Sequence, residues 1–129
     1  MQSGKHVILC VDDDQDILVA LRVVLESKGY QVATATTAVE GIDVFKQCHP
    51  DVVIVDLMME EVDSGLTFAR ELKALGNTAP VFFLSSTGDY LYGTTDVGDV
   101  GASGVFQKPI NPAALLRLLG QKLGEPVHP

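Results

Sequence analysis

The run Val52-Val53-Ile54-Val55, closed by Asp56, constrains the chain more than any other feature. β-Branched side chains are stiff at χ1 and suit a pleated surface. A run that is apolar at every residue, rather than at every second one, has to be covered on both faces. It therefore reads as a central strand of a parallel sheet, and such a sheet needs helices on both sides as crossovers. Further runs of the same kind follow one another along the chain. His6 to Val11 ends at Asp12-Asp13-Asp14, and Val81-Phe82-Phe83-Leu84 ends at Ser85. Tyr30 to Ala35 is weaker, and Gly104 to Pro109 is the shortest.

Helical patterns alternate with these runs. Asp14 is placed to cap a helix whose apolar residues Ile17, Leu18, Leu21, Val24 and Leu25 line one face, with Gly29 as its stop. Thr37-Ala38-Val39-Glu40 is a capping box that opens a helix to about Gln47, ended by His49-Pro50. A third helix is expected from about Gly65 to Leu75, closed by Gly76-Asn77. Asn111 as N-cap and Pro112 at the first helical position announce the last one, with Leu115, Leu116, Leu118, Leu119 and Leu123 on its apolar side. Gly88 to Ser103 is where the alternation requires one more helix. Gly93, Gly98 and Gly101 each cost about 1 kcal/mol relative to alanine there, so that helix is expected to be short, frayed or absent.

Composition narrows the class of partner. Seventeen acidic residues against 9 Lys plus Arg give a formal charge of −8, with no basic run. The chain lacks the footprint that direct nucleic-acid binding needs. No apolar stretch approaches the length of a membrane span or a signal-peptide core, so a cytoplasmic, membrane-free protein is expected. Cys10 lies in an apolar run and Cys48 near a helix end, without metal-type spacing, and both read as reduced structural thiols.

Ligands of a doubly wound sheet bind at the carboxyl ends of its strands. Here those ends are polar: Asp12-Asp13-Asp14 after the first strand, Asp56 at the third, Ser85 at the fourth and Lys108 at the fifth. In the usual doubly wound order these groups meet in one pocket. Carboxylates about 4 to 5 Å apart repel by roughly 3 to 4 kcal/mol per pair at an effective dielectric near 20. Lys108 compensates one charge, and a hard divalent cation suits the remainder. A metal beside a carboxylate, with a lysine and a hydroxyl aimed at the same point, is suited to stabilising a phosphoryl group in transfer.

Val11-Asp12-Asp13, Val55-Asp56, Ser85 and Lys108-Pro109, on these strand ends, resemble the receiver domain of two-component response regulators, and the resemblance spans Val7 to about Leu123. It implies an α/β fold: a doubly wound, five-stranded parallel sheet in the order 2-1-3-4-5, with helices on both faces. It implies a single domain over 1–129, with a core of about 6–123 and a tail or linker start at 124–129. Asp56 would accept a phosphoryl group from a sensor histidine kinase or phosphotransfer protein. Asp12, Asp13 and the backbone carbonyl of Met58, together with Asp56, would form the Mg²⁺ site. Ser85 would donate its hydroxyl to the phosphoryl group and Lys108 would pair with it. The resemblance further implies a cis bond before Pro109. It also implies a downstream effector protein or domain, with scope for a phosphorylation-dependent homodimer.

The chain departs from the family pattern in places. Glu60 and Ser64 stand where the family usually has Pro and Gly, with Gly65 one step late. Val105 takes the place of a common Tyr or Phe, which moves the aromatic to Phe106 and, by strand alternation, into the core. The leading expectation is a phospho-acceptor switch that turns over only its own phosphate, with Ser85 and Lys108 coupling the charge to the segment 88–103 and the fifth strand. The alternatives are a receiver-like interaction module working without phosphorylation, and a Mg²⁺-dependent phosphatase, which steady turnover of a phosphate ester would reveal.

Overall fold

A computed structural model of the chain describes residues 6–57, 64–85, 102–108 and 110–123. Of the segment 88–103 in which a further helix is expected, residues 88–101 lie outside the described residues, as do Met58, Glu60, Glu61 and Pro109, while 102 and 103 belong to a strand. The apolar runs become the strands. Val7–Val11 forms β1, Gln31–Ala35 β2, Val52–Asp56 β3, Val81–Ser85 β4 and Ala102–Gln107 β5. They pair in parallel in the order β2-β1-β3-β4-β5. β1, β3 and β4 are buried at every residue, which is why they tolerate apolar side chains without alternation. β2, with the weakest apolar pattern, takes one edge.

Four helices accompany the strands among the described residues: α1 (Gln15–Glu26), α2 (Ala38–Cys48), α3 (Ser64–Ala74) and α4 (Pro112–Lys122). α1 and α4 pack on one face of the sheet, where Leu18, Leu21, Leu25, Leu115 and Leu119 meet Ile8, Cys10, Ile54, Phe82 and Leu84. α2 and α3 pack on the other, with Phe68, Ala69 and Leu72 against Leu9, Val11, Val53, Val55 and Phe83. Successive strand residues thus feed two cores. Cys10 lies in the first of them, and burial, helped by the Asp12 carboxylate and opposed by Arg22, pushes its thiol up to about 12. Such a thiol is structural. No helix among the described residues is long and apolar enough to cross a membrane.

The caps follow local chemistry, with two departures. Asp14 accepts the Asp16 N–H, Thr37 the Glu40 N–H and Asn111 the Ala114 N–H, at 2.9, 3.0 and 3.1 Å. Glu40, expected to bond the N-cap N–H, instead reaches the Thr36 N–H at 2.7 Å, and the Thr36 hydroxyl lies 3.2 Å from the same oxygen. α1 and α3 are followed by glycines at positive φ, Gly29 and Gly76. α2 ends at His49 with φ 48, a left-handed cap without glycine. β5 begins two residues before the expected Gly104. Its pairing steps from Val81–Ala102 to Phe82–Gly104, leaving Ser103 as an extra residue, a bulge. Phe106 packs toward the α1/α4 core, tilted against Phe82 with ring centroids 5.5 Å apart, while Val105 is 43% exposed.

Gly41 sets how closely α2 approaches the sheet. A Cβ there would stand 2.8 Å from Phe68 Cε1 and 3.2 Å from Val11 Cγ2. Phe68 is fully buried and has no free direction in which to yield. Gly41→Ala gains up to about 1 kcal/mol of helix propensity but overpacks the core by about 1–3 kcal/mol. Urea unfolding is expected to show a net loss of about 1–2 kcal/mol for this variant; an unchanged or raised midpoint would show that the helix is free to shift outward.

Candidate functional site

Parallel pairing brings all strand C-termini to one edge of the sheet. Val11 lies opposite Val55, Asp56 opposite Leu84, and Ser85 opposite Gln107, so Asp12, Asp56, Ser85 and Lys108 are set on neighbouring strands. Backbone bonds hold the segments beyond the strands in place: the Asp12 N–H donates to the Ala35 carbonyl at 3.1 Å, and the Lys108 N–H to the Ser85 carbonyl at 2.8 Å. Among the described residues, the buried polar side chains are Asp12, Asp56 and Ser85. Burying a polar or charged group is costly unless it is compensated, and here all three sit at one point of the fold.

Compensation comes first from Lys108. Its Nζ lies 3.1 Å from Asp12 Oδ2 and 3.5 Å from Asp56 Oδ1. Burial draws its pKa down, but the two carboxylates outweigh burial and hold the ammonium above its ordinary range, charged at neutral pH. Burial pushes the Asp12 carboxyl up. The Asp14 N–H, which donates to Asp12 Oδ1 at 2.9 Å, and the Lys108 ammonium oppose that without cancelling it. Asp13, exposed, completes a group of three carboxylates: Asp12, Asp13 and Asp56 each offer an oxygen within 4.8 Å of the others. Three carboxylates against one ammonium leave a formal charge of −3 + 1 = −2 on this set. The donors are hard oxygens, and that excess charge suits a divalent cation of the Mg²⁺ type.

The structure thus brings together Asp12, Asp13, Asp56 and Lys108, with Ser85 buried at the end of the adjoining strand. Met58 lies outside the described residues. Beyond capping α1 and standing in the acidic run at the end of β1, Asp14 has a role that its side chain does not announce: its N–H fixes the Asp12 carboxylate. The signal was available in Asp12-Asp13-Asp14, since aspartate readily accepts from the backbone two residues on.

Against known proteins, residues 8–119 match the response regulator receiver domain family. The chain is 33% identical over 115 residues to "Probable transcriptional regulator ycf27" of Cyanophora paradoxa, covering 89% of this chain and 47% of that protein. It is 34% identical over 109 residues to response regulator MprA of Mycobacterium sp. (strain KMS), covering 84% and 46% respectively. The chain therefore spans about half the length of the curated relatives it matches. Among solved structures, the response regulator receiver domain protein from Clostridium thermocellum superposes with a TM-score of 0.83 at 29% identity, over 92% of this chain and 94% of that one. The chemotaxis response regulator CheY4 of Vibrio cholerae gives 0.81 at 28%, over 92% and 99%. With this fold and this cluster of acids at its strand ends, the chain belongs to the response regulator receiver domains of two-component signalling, a family of phospho-acceptor switches rather than of enzymes turning over an external substrate.

Proposed function

We propose that Asp56 is the phospho-acceptor of this receiver domain, and that Ser85 and Lys108 convert its modification into a surface change around the segment 88–103 and β5. The observation that carries this is the buried Asp56 carboxylate, 3.5 Å from Lys108 Nζ and grouped with Asp12 and Asp13. Receiver domains bind Mg²⁺ at an acidic site, interact with kinases and pass their state to effector domains. Asp12, Asp13, Asp56 and the Met58 backbone carbonyl are the residues we assign to the metal. When bound, the cation would supply positive charge that offsets the repulsion between the acceptor carboxylate and an incoming phosphoryl group. A carboxylate oxygen of Asp56 attacks the phosphorus of a phosphohistidine presented by a sensor kinase or phosphotransfer protein. The new O–P bond forms as the N–P bond breaks, and the imidazole leaves with its electron pair. Lys108, held charged by its two carboxylate neighbours, pairs with the added phosphoryl oxygens, and the Ser85 hydroxyl donates to one of them.

Transfer needs a docking surface for the donor. α1 leaves Val19 and Val23 62% and 65% exposed one helical turn apart, an apolar pair suited to a helix of the phosphotransfer partner. Output goes to a downstream effector protein or domain, with a phosphorylation-dependent homodimer as one form it can take. The domain we assign spans 1–129, with a core of about 6–123 and 124–129 as tail or linker. A cytoplasmic location accords with a phosphohistidine donor, and the −8 charge accords with an output through proteins rather than direct nucleic-acid contact.

Two measurements test the assignment. Intact mass after incubation with acetyl phosphate and Mg²⁺ is expected to show one added phosphoryl group, absent from Asp56→Asn and from a chelated control. No adduct in the wild type, together with no binding of beryllium fluoride, would instead favour an interaction module working without phosphorylation. The second concerns Asp12, whose folded pKa is raised. Its contribution to stability is present below the unfolded carboxylate pKa and is lost as pH rises through the folded value. In chelator, the melting midpoint of the wild type is expected to carry that loss at neutral pH. Asp12→Asn should escape it and show a melting midpoint that falls less than the wild type's as pH rises from acid to neutral. A variant less stable than the wild type at pH 7 would mean that the Lys108 pair outweighs burial.

A further inference from the structure

β2 forms one edge of the sheet, and its two long sides are not equivalent. The Gln31 N–H donates to the His6 carbonyl at 2.9 Å, and the Ala35 carbonyl accepts the Asp12 N–H at 3.1 Å. In a parallel ladder this phase turns the backbone groups of Gln31, Ala33 and Ala35 toward β1, and those of Val32 and Thr34 outward. An open row of outward N–H and C=O groups is a template for another strand. Side chains from the two flanking helices occupy the ends of that row. From α1, Arg22 Nη1 donates to the Val32 carbonyl at 3.3 Å and is steadied by Glu26 Oε2 at 3.1 Å. From α2, Glu40 Oε1 accepts the N–H of Thr36, the next outward position along the same edge, at 2.7 Å.

The edge is complementary to itself. Two copies laid antiparallel about a two-fold axis at Ala33 set each Val32 opposite Thr34 of the other copy, and each such pair exchanges two hydrogen bonds, one of them to the Val32 carbonyl. With Arg22 on that carbonyl, both copies lose the bond, and the guanidinium occupies the place of the incoming strand. Glu40 withdraws the donor of the following rung in the same way. We infer that Arg22 and Glu40 are a latch that keeps the β2 edge from pairing with the same edge of a second copy of this chain. Arg22 acts on Val32 near the start of β2, away from the acidic cluster, whereas Glu40 holds Thr36 just after Ala35, whose carbonyl accepts the Asp12 N–H.

The test places a reporter on the two-fold axis. Ala33→Cys in a Cys48→Ser background is oxidised and read on a non-reducing gel, with sedimentation equilibrium on the same samples. With Arg22→Ala and Glu40→Ala added, disulfide-linked dimer is expected to rise about tenfold over the latched protein, and mass to climb with concentration. Adding Thr34→Pro, which deletes an outward donor, is expected to return the monomer. A folded, latch-free variant that stays monomeric overturns the inference. So does association indifferent to Thr34→Pro, or equal cross-linking with the latch intact. Should loss of Glu40 from the α2 cap unfold the chain, Arg22→Gln alone carries the same comparison.

Discussion

Two carboxylates buried beside one lysine govern the working end of this fold. Asp12 and Asp56, on neighbouring strands, are held out of water with Lys108 Nζ at 3.1 and 3.5 Å. Water would solvate these charges far better, so the arrangement persists only because the sheet imposes it: β1 and β3 pair in register along their buried lengths, and the Lys108 N–H is tied to the Ser85 carbonyl. The core stabilises the fold, and part of that stability sustains a charged pocket. With Asp13 counted, the pocket remains two formal negative charges from neutrality, an excess that suits a divalent cation.

Much of the architecture was legible from side-chain type alone. Val52 to Val55 could only be a doubly covered strand, and a parallel sheet with crossover helices follows from that. The site was legible for a related reason: strands of this kind carry no polar residues along their length, so Asp12, Asp56 and Ser85 at their ends stand out. Features decided by pairing and packing were not legible. The extra residue at Ser103 appears only in the pairing of β5 with β4, where a Cβ at Gly104 would come 3.2 Å from the Phe82 ring. Glu40 bonding Thr36, rather than the N-cap itself, reflects two donors of one residue converging on a carboxylate. His49 in a left-handed cap reflects the demand of the turn before β3, which local preference does not foretell.

The two ends and the flank of the sheet divide the labour. At the C-terminal edge, polar groups are buried and under-compensated, ready for a ligand. At the opposite edge, Asp51 Oδ2 accepts the Val7 N–H at 2.7 Å with His6 Nδ1 at 3.8 Å, a contact that fastens the start of β1 to the start of β3. On the flank, Arg22 and Glu40 spend long polar side chains on the open backbone of β2. The same residue types thus serve binding, fastening and protection, according to which strand end or edge they meet.

The cation site proposed on the charge left over by Asp12, Asp13, Asp56 and Lys108 is checked by the melting midpoint of the unphosphorylated chain across a Mg²⁺ titration. A ligand that binds only the folded state raises stability by RT ln(1 + [L]/Kd), so the wild-type midpoint should climb with each decade of Mg²⁺ above Kd, while Asp13→Asn should respond only at much higher concentration. A wild-type midpoint that stays level through millimolar Mg²⁺, or an Asp13→Asn curve that overlays it, would contradict the claim.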